Sequence, residues 1–209
     1  MAVTGLDHII YASPDLERAI EKVRALTGVE PVHGGSHPGR GTRNALVSLG
    51  PDTYIEILAP DPSQSAEALT LAADRIPQTG RVINWAAKCG DLEEAVESAS
   101  RNEVDLGRIE PMWRTLPSGS QLAWRLTRGT LLADGLVPFL IDWGESPHPA
   151  ASAPSGCALQ YFRAEHPDPI RVRDYLALLG LQDMLEVSKG PVPHLLAALS
   201  TPNGPVVLE

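Results

Sequence analysis

Apolar residues along this chain recur with two periods. Leu6-Asp7-His8-Ile9-Ile10-Tyr11 is a short apolar run, which predicts a buried strand over 5–12. The spacing then lengthens. Leu16, Ala19, Ile20, Val23 and Leu26 recur as on one face of a helix, with Glu17, Arg18, Glu21, Lys22 and Arg24 between them. Ser13-Pro14 offers an N-cap and a first-turn proline, and Gly28 a C-terminal stop. Strands near 30–33, 42–49 and 53–58 complete a β-α-β-β-β unit, with 34–41 read as a Gly-rich loop.

The same order recurs twice. Val82-Ile83-Asn84-Trp85-Ala86-Ala87 precedes a helix capped by Asp91, with Glu94 at capping-box spacing. Leu159-Gln160-Tyr161-Phe162-Arg163-Ala164 precedes one capped by Asp168. Asp15, Asp91 and Asp168 stand 76 and 77 positions apart, as repeated supersecondary units would be. The reading is α+β: repeated βαβββ units forming a curved sheet around a cavity, three in the chain. Its boundaries are a first unit over 1–62, a helical connector over 63–80, a second unit over 81–146, a Pro/Ala/Ser-rich linker over 147–156 and a βαβββ-like third unit over 157–209. Pro117-Ser118-Gly119-Ser120 and Pro202-Asn203-Gly204 read as hairpin turns. Equivalent first-strand positions hold His8, Asn84 and Tyr161.

Of the 209 residues, 43% are hydrophobic, enough for a core. A formal charge of -9 argues against nucleic acid or an acidic membrane as partner. Cys89 and Cys157 have neither disulfide-framework nor zinc-finger spacing. No apolar run is long enough to span a bilayer, and no signal peptide is recognisable at the N-terminus, so the expected location is the cytoplasm.

Leu6-Asp7-His8, Tyr54-Ile55-Glu56-Ile57 and the loop His37-Pro38-Gly39-Arg40-Gly41-Thr42-Arg43-Asn44 carry a resemblance. A repeated βαβββ unit with these strands resembles the vicinal oxygen chelate superfamily: glyoxalase I, extradiol dioxygenases and bleomycin-resistance proteins. The loop is similar to that of the glyoxalase-like domain subgroup. The resemblance implies paired units wrapping a cavity, with a divalent ion (Zn, Ni, Mn or Fe) inside. It implies His8 and Glu56 as metal ligands, and further ligands from a second unit.

The residues support this in part. A neutral imidazole at position 8 can bind a divalent cation, or be a core histidine satisfied by a hydrogen bond. Glu56 stands in an apolar strand, where a carboxylate is costly unless paired or coordinated; it is read as ligand or general base. The second unit offers Asn84 opposite His8 and, within one residue of alignment, Asp142 opposite Glu56. Neither makes a strong set. Substrate contacts are expected from His37, Arg40, Asn44, Asn84, Trp85 and Asp142, the arginine holding a carboxylate and the tryptophan lining an apolar pocket. His148, His166 and His194 are read as surface residues. Two functions follow: a metal-dependent lyase, isomerase or dioxygenase on a small organic substrate, or a non-catalytic small-molecule binder of the resistance type. The odd third unit is expected to complete a homodimer.

Overall fold

The computed structural model describes residues 3–73, 75–115, 119, 121–129 and 131–209. The first unit runs β1 (Val3–Ala12), α1 (Leu16–Thr27), β2 (Val32–His37), β3 (Thr42–Ser48), β4 (Tyr54–Pro60). After α2 (Ala66–Ala73), the second runs β5 (Arg81–Cys89), α3 (Leu92–Ser100), β6 (Arg108–Thr115), β7 (Gln121–Arg128), β8 (Phe139–Asp142). The chain ends with β9 (Ala158–His166), α4 (Pro169–Leu178), β10 (Glu186–Lys189), β11 (His194–Thr201) and β12 (Gly204–Leu208). The hairpin expected at 117–120 falls largely on residues outside those described.

The first two units form one eight-stranded sheet in the order β2-β3-β4-β1-β5-β8-β7-β6. Within each, the first strand pairs parallel with the last: His8 with Tyr54 on β4, Ala86 with Phe139 on β8. The units meet along an antiparallel seam between β1 and β5, where His8 faces Ala86. Strand alternation then sorts the side chains. Ile9, Tyr11, Ile55, Ile57, Trp85 and Ala87 enter one large core with α1 and α3, while His8, Tyr54, Glu56, Phe139 and Ile141 line the other, hollow side.

Three local expectations change. The α1 cap is Asp15, whose side chain accepts from Arg18 N–H, and Ser13 lies outside the helix. Only the second half of the Gly-rich stretch is a loop: β2 continues through Gly34 and Gly35 to His37, paired with β3, and residues 38–41 form the turn. Gly34 serves close approach, since a Cβ there would lie 2.3 Å from both Asn44 and Arg114. The third unit repeats the element order but not the pairing. Its separate sheet runs β10-β9-β11-β12, so β9 pairs parallel with β10 and antiparallel with β11. It joins the core on the back of the large sheet: Phe162 meets Trp85 edge-on at 5.6 Å, and Val82 N–H donates to Glu209 C=O. Tyr161, expected to match His8, is 40% exposed on this small sheet.

Candidate functional site

The hollow side of the sheet holds a cavity of about 380 Å³, within the range of small-molecule sites. Its polar floor comes almost entirely from the first unit. His8 and Glu56 are both buried there, with His8 Nε2 3.8 Å from Glu56 Oε2. His37 Nε2 lies 3.7 Å from Glu56 Oε1. The two carboxylate oxygens thus each face one imidazole.

A bulge places the residue behind His8. The β1–β5 register shifts between Leu6 and His8, so Asp7 is the extra residue and its side chain reaches round to His8. Asp7 Oδ1 lies 2.6 Å from His8 Nδ1. Its Oδ2 accepts from Trp143 Nε1–H at 3.0 Å and from His148 Nε2 at 3.1 Å. His148 Nδ1 accepts from Ala150 N–H, which puts its proton on Nε2. Burial would raise the pKa of Asp7, but hydrogen bonds from His148 and His8 hold it far below the ordinary carboxylate range. An ionised Asp7 takes the Nδ1–H of His8 and leaves Nε2 aimed at Glu56. Tyr54 stacks on the His8 ring at 4.7 Å, and Phe139 meets it edge-on at 5.7 Å. Burial, with Asp7 and Glu56 near, raises the Tyr54 phenol well above its usual value, so it stays neutral.

A second chain of hydrogen bonds fixes Glu56. Arg114 Nη1 donates to Asn44 Oδ1 at 2.9 Å. That contact decides the Asn44 amide orientation, and its Nδ2 donates to Glu56 Oε1 at 2.6 Å and to His37 Nε2 at 3.2 Å. His37 Nδ1–H is then left for Thr42 Oγ1 at 2.9 Å. Burial pushes the His37 imidazole below its usual pKa, against the pull of Glu56, so the ring is neutral. Burial also lowers the pKa of Arg114, opposed by Tyr54 and Glu56. It remains the cation that balances Glu56, and its Nε has no hydrogen-bond partner among the described residues.

The structure brings His8, Glu56, His37, Arg40, Asn44 and Asn84 to the cavity. Asn84 Oδ1 accepts from the Trp85 N–H next to it. Two expected contacts lie elsewhere. Trp85 is fully buried in the core on the opposite face, where its Nε1–H donates to Leu136 C=O. Asp142 points away from the cavity and pairs with Arg125 at 2.9 Å. The seam gives the reason. Because His8 faces Ala86 and Ile10 faces Asn84, these two β5 residues share the His8 face while Trp85 between them takes the other, and on β8 Ile141 rather than its neighbour Asp142 lines the cavity. Of the histidines read as surface residues, His148 is tied to Asp7, and His166 is buried, 3.4 Å from Asp134.

This donor set does not fit a closed metal centre. His8 Nε2 and Glu56 are two donors, His37 Nε2 is engaged by Asn44, and the facing unit presents a methyl and a butyl group. Among the described residues no three His, Cys, Asp or Glu side chains converge as a metal site would require. Arg114, Asp7, Tyr54 and His148 escaped the sequence reading. Only Asp7 left a signal, beside His8, and strict alternation placed it on the wrong face.

The family model of the glyoxalase-like domain matches residues 6–180. A hypothetical protein from Staphylococcus aureus shares the fold over 91% of this chain and 88% of its own, with 16% identity and a TM-score of 0.70. A triple mutant of 4-hydroxymandelate synthase from Streptomyces coelicolor aligns over 99% of this chain, with 13% identity and a TM-score of 0.53; the chain spans 63% of that enzyme. Methylmalonyl-CoA epimerase from Mycobacterium tuberculosis aligns over 67% of this chain and 87% of its own, with 22% identity and a TM-score of 0.42. No protein of curated function matches the sequence.

Proposed function

The chain belongs to the glyoxalase-like domain family of the vicinal oxygen chelate superfamily, and we propose that it acts on a small organic carbonyl compound by proton transfer between carbon and the His8–Glu56 pair. The observation that carries this reading is the fixed geometry of that pair, with His8 Nε2 3.8 Å from Glu56 Oε2 over the cavity. Glu56 Oε1 is occupied by Asn44, which leaves Oε2 to take a proton from a carbon next to a carbonyl. His8, held by Asp7, Tyr54 and Phe139, is the partner that accepts that proton from Glu56 and returns it. Arg114 and Asn44 position the carboxylate. In this reading the protein is a cytoplasmic isomerase or lyase, and its homodimer is a separate expectation that solution mass would check.

The test is solvent exchange. The protein is incubated in D₂O with a panel of 2-oxo acids, 2-hydroxy aldehydes and thioesters, and loss of the α-proton signal is followed by NMR. At least one compound is expected to exchange, and Glu56→Gln to slow exchange by about 10²- to 10⁴-fold. Compounds that bind by thermal shift but never exchange would overturn the enzyme and leave the second reading, a sequestering protein. The apolar wall of Trp124, Trp143, Phe139 and Ile141 favours that alternative.

A further inference from the structure

Besides Arg114 at the floor, four arginines line the cavity from four separate segments: Arg40 on the β2–β3 turn, Arg75 beyond α2, Arg81 at the start of β5 and Arg128 at the end of β7. This gathering stands out in a chain of net charge -9. The carboxylates lining the same cavity are Glu56 on the floor and Asp134. Behind the arginines, Glu110 takes Arg40 at 2.5 Å, Arg108 at 3.6 Å and Arg128 at 3.8 Å. One carboxylate therefore serves three guanidinium groups. Arg40 and Arg128 are only about a quarter exposed, so water does not fully relieve their repulsion. Burial, with Arg75 and Arg40 close by, pushes Arg128 down to about 10.

The turn that carries Arg40 is tied down. Asp61 accepts from Ser36, Ser63 and Gln64, while Gln64 also accepts from Gly41 N–H. Against the effect of burial, these bonds hold Asp61 at about 2. Gly41 has φ +68°, and a Cβ there would lie 2.0 Å from Ala68 C=O, so the turn fits α2 only as glycine.

Register gives the distance. Trp124 meets His37 at the floor, 6.2 Å between rings, and Arg128 lies four residues further along β7, which is ~13 Å at about 3.3 Å per residue. Arg40 lies four residues from Asn44. Leu126, Leu132, Val137 and Phe139 line the cavity with them.

We propose that this rim is a second subsite that binds an oxyanion, a carboxylate or a phosphate, so that the ligand is an elongated organic anion with an apolar middle. Its charged head sits on Arg40, Arg75 and Arg128, and its reacting end reaches Glu56. The inference rests on reading the hollow as a ligand site, and it names the substrate class.

The test uses 8-anilinonaphthalene-1-sulfonate, an apolar body with one anionic group, and its neutral counterpart N-phenyl-1-naphthylamine. The sulfonate is expected to bind one per chain. Arg75→Gln and Arg128→Gln are each expected to weaken it at least tenfold at constant ionic strength, with the neutral probe unchanged. Arg75 is exposed, so its variant keeps the test valid if Arg128→Gln fails to fold; melting curves check both. Competition by inorganic phosphate against acetate then assigns the head to phosphate or carboxylate. Sulfonate affinity within twofold of wild type in Arg75→Gln, or equal arginine sensitivity of the neutral probe, would overturn the proposal. Proton exchange that still depends on Glu56 would show that only the rim assignment had failed.

Discussion

Across the seam between β1 and β5, His8 faces Ala86; two residues beyond the β4 partner of His8 stands Glu56, and two beyond the β8 partner of Ala86 stands Ile141. The two units share element order and strand pairing, yet one furnishes imidazoles and a carboxylate where the other furnishes Phe139, Ile141, Trp124 and Met112. Arg114 is sent across from β6 to hold Asn44, and Arg81 and Arg128 of the second unit stand at the rim. The contrast teaches that a duplicated fold need not duplicate its chemistry. One wall holds the polar groups and the other gives the dry surface that strengthens their electrostatic interactions.

Removing the anchor of the polar wall has the largest expected effect. Asp7→Ala leaves His8 Nδ1, Trp143 Nε1 and His148 Nε2 without their shared acceptor. It should cost about 3–5 kcal/mol of stability, the usual result of breaking a buried charge-assisted network. Urea unfolding measures it, and a loss under 1 kcal/mol would mean that Asp7 does not organise this wall.

Giving the apolar wall the chemistry of its partner sharpens the comparison. Ala86→His with Ile141→Glu completes a four-donor set around the seam. Calorimetric Zn²⁺ affinity should rise by more than about tenfold, about 1.4 kcal/mol. No gain would show that the two positions are not true counterparts.

The smallest expected effect is a pH slope. His37 is neutral in the fold, with its pKa depressed by burial. Below about 6.5 the unfolded chain takes up a proton that the native ring resists. Stability is therefore full above that pH and falls as pH drops towards the native value, by at most about 1.4 kcal/mol per pH unit. Asp7 has the same sign, but its loss begins only near the ordinary carboxylate value of about 4. Melting temperatures from pH 7 to 5 should fall for wild type and fall less for His37→Gln. Identical slopes would remove His37 from the account.

The sequence by itself determined the α+β architecture, since strand and helix periods and the Asp91 and Asp168 caps are local properties of the chain. The resemblance, rather than alternation, put His8 and Glu56 on one face, because alternation sorts the residues of a single strand and leaves the facing of a second strand open. Tertiary structure decided everything that depends on register. A bulge turned Asp7 towards His8, and the seam set Ala86 and Ile141 against the polar pair. The third unit changed its strand order and covered the back of the sheet. Arg114, His148 and the arginine rim gather from segments tens of residues apart. Such contacts carry no local signature, because pairing one residue earlier or later leaves the sequence pattern intact and moves every side chain to the opposite face.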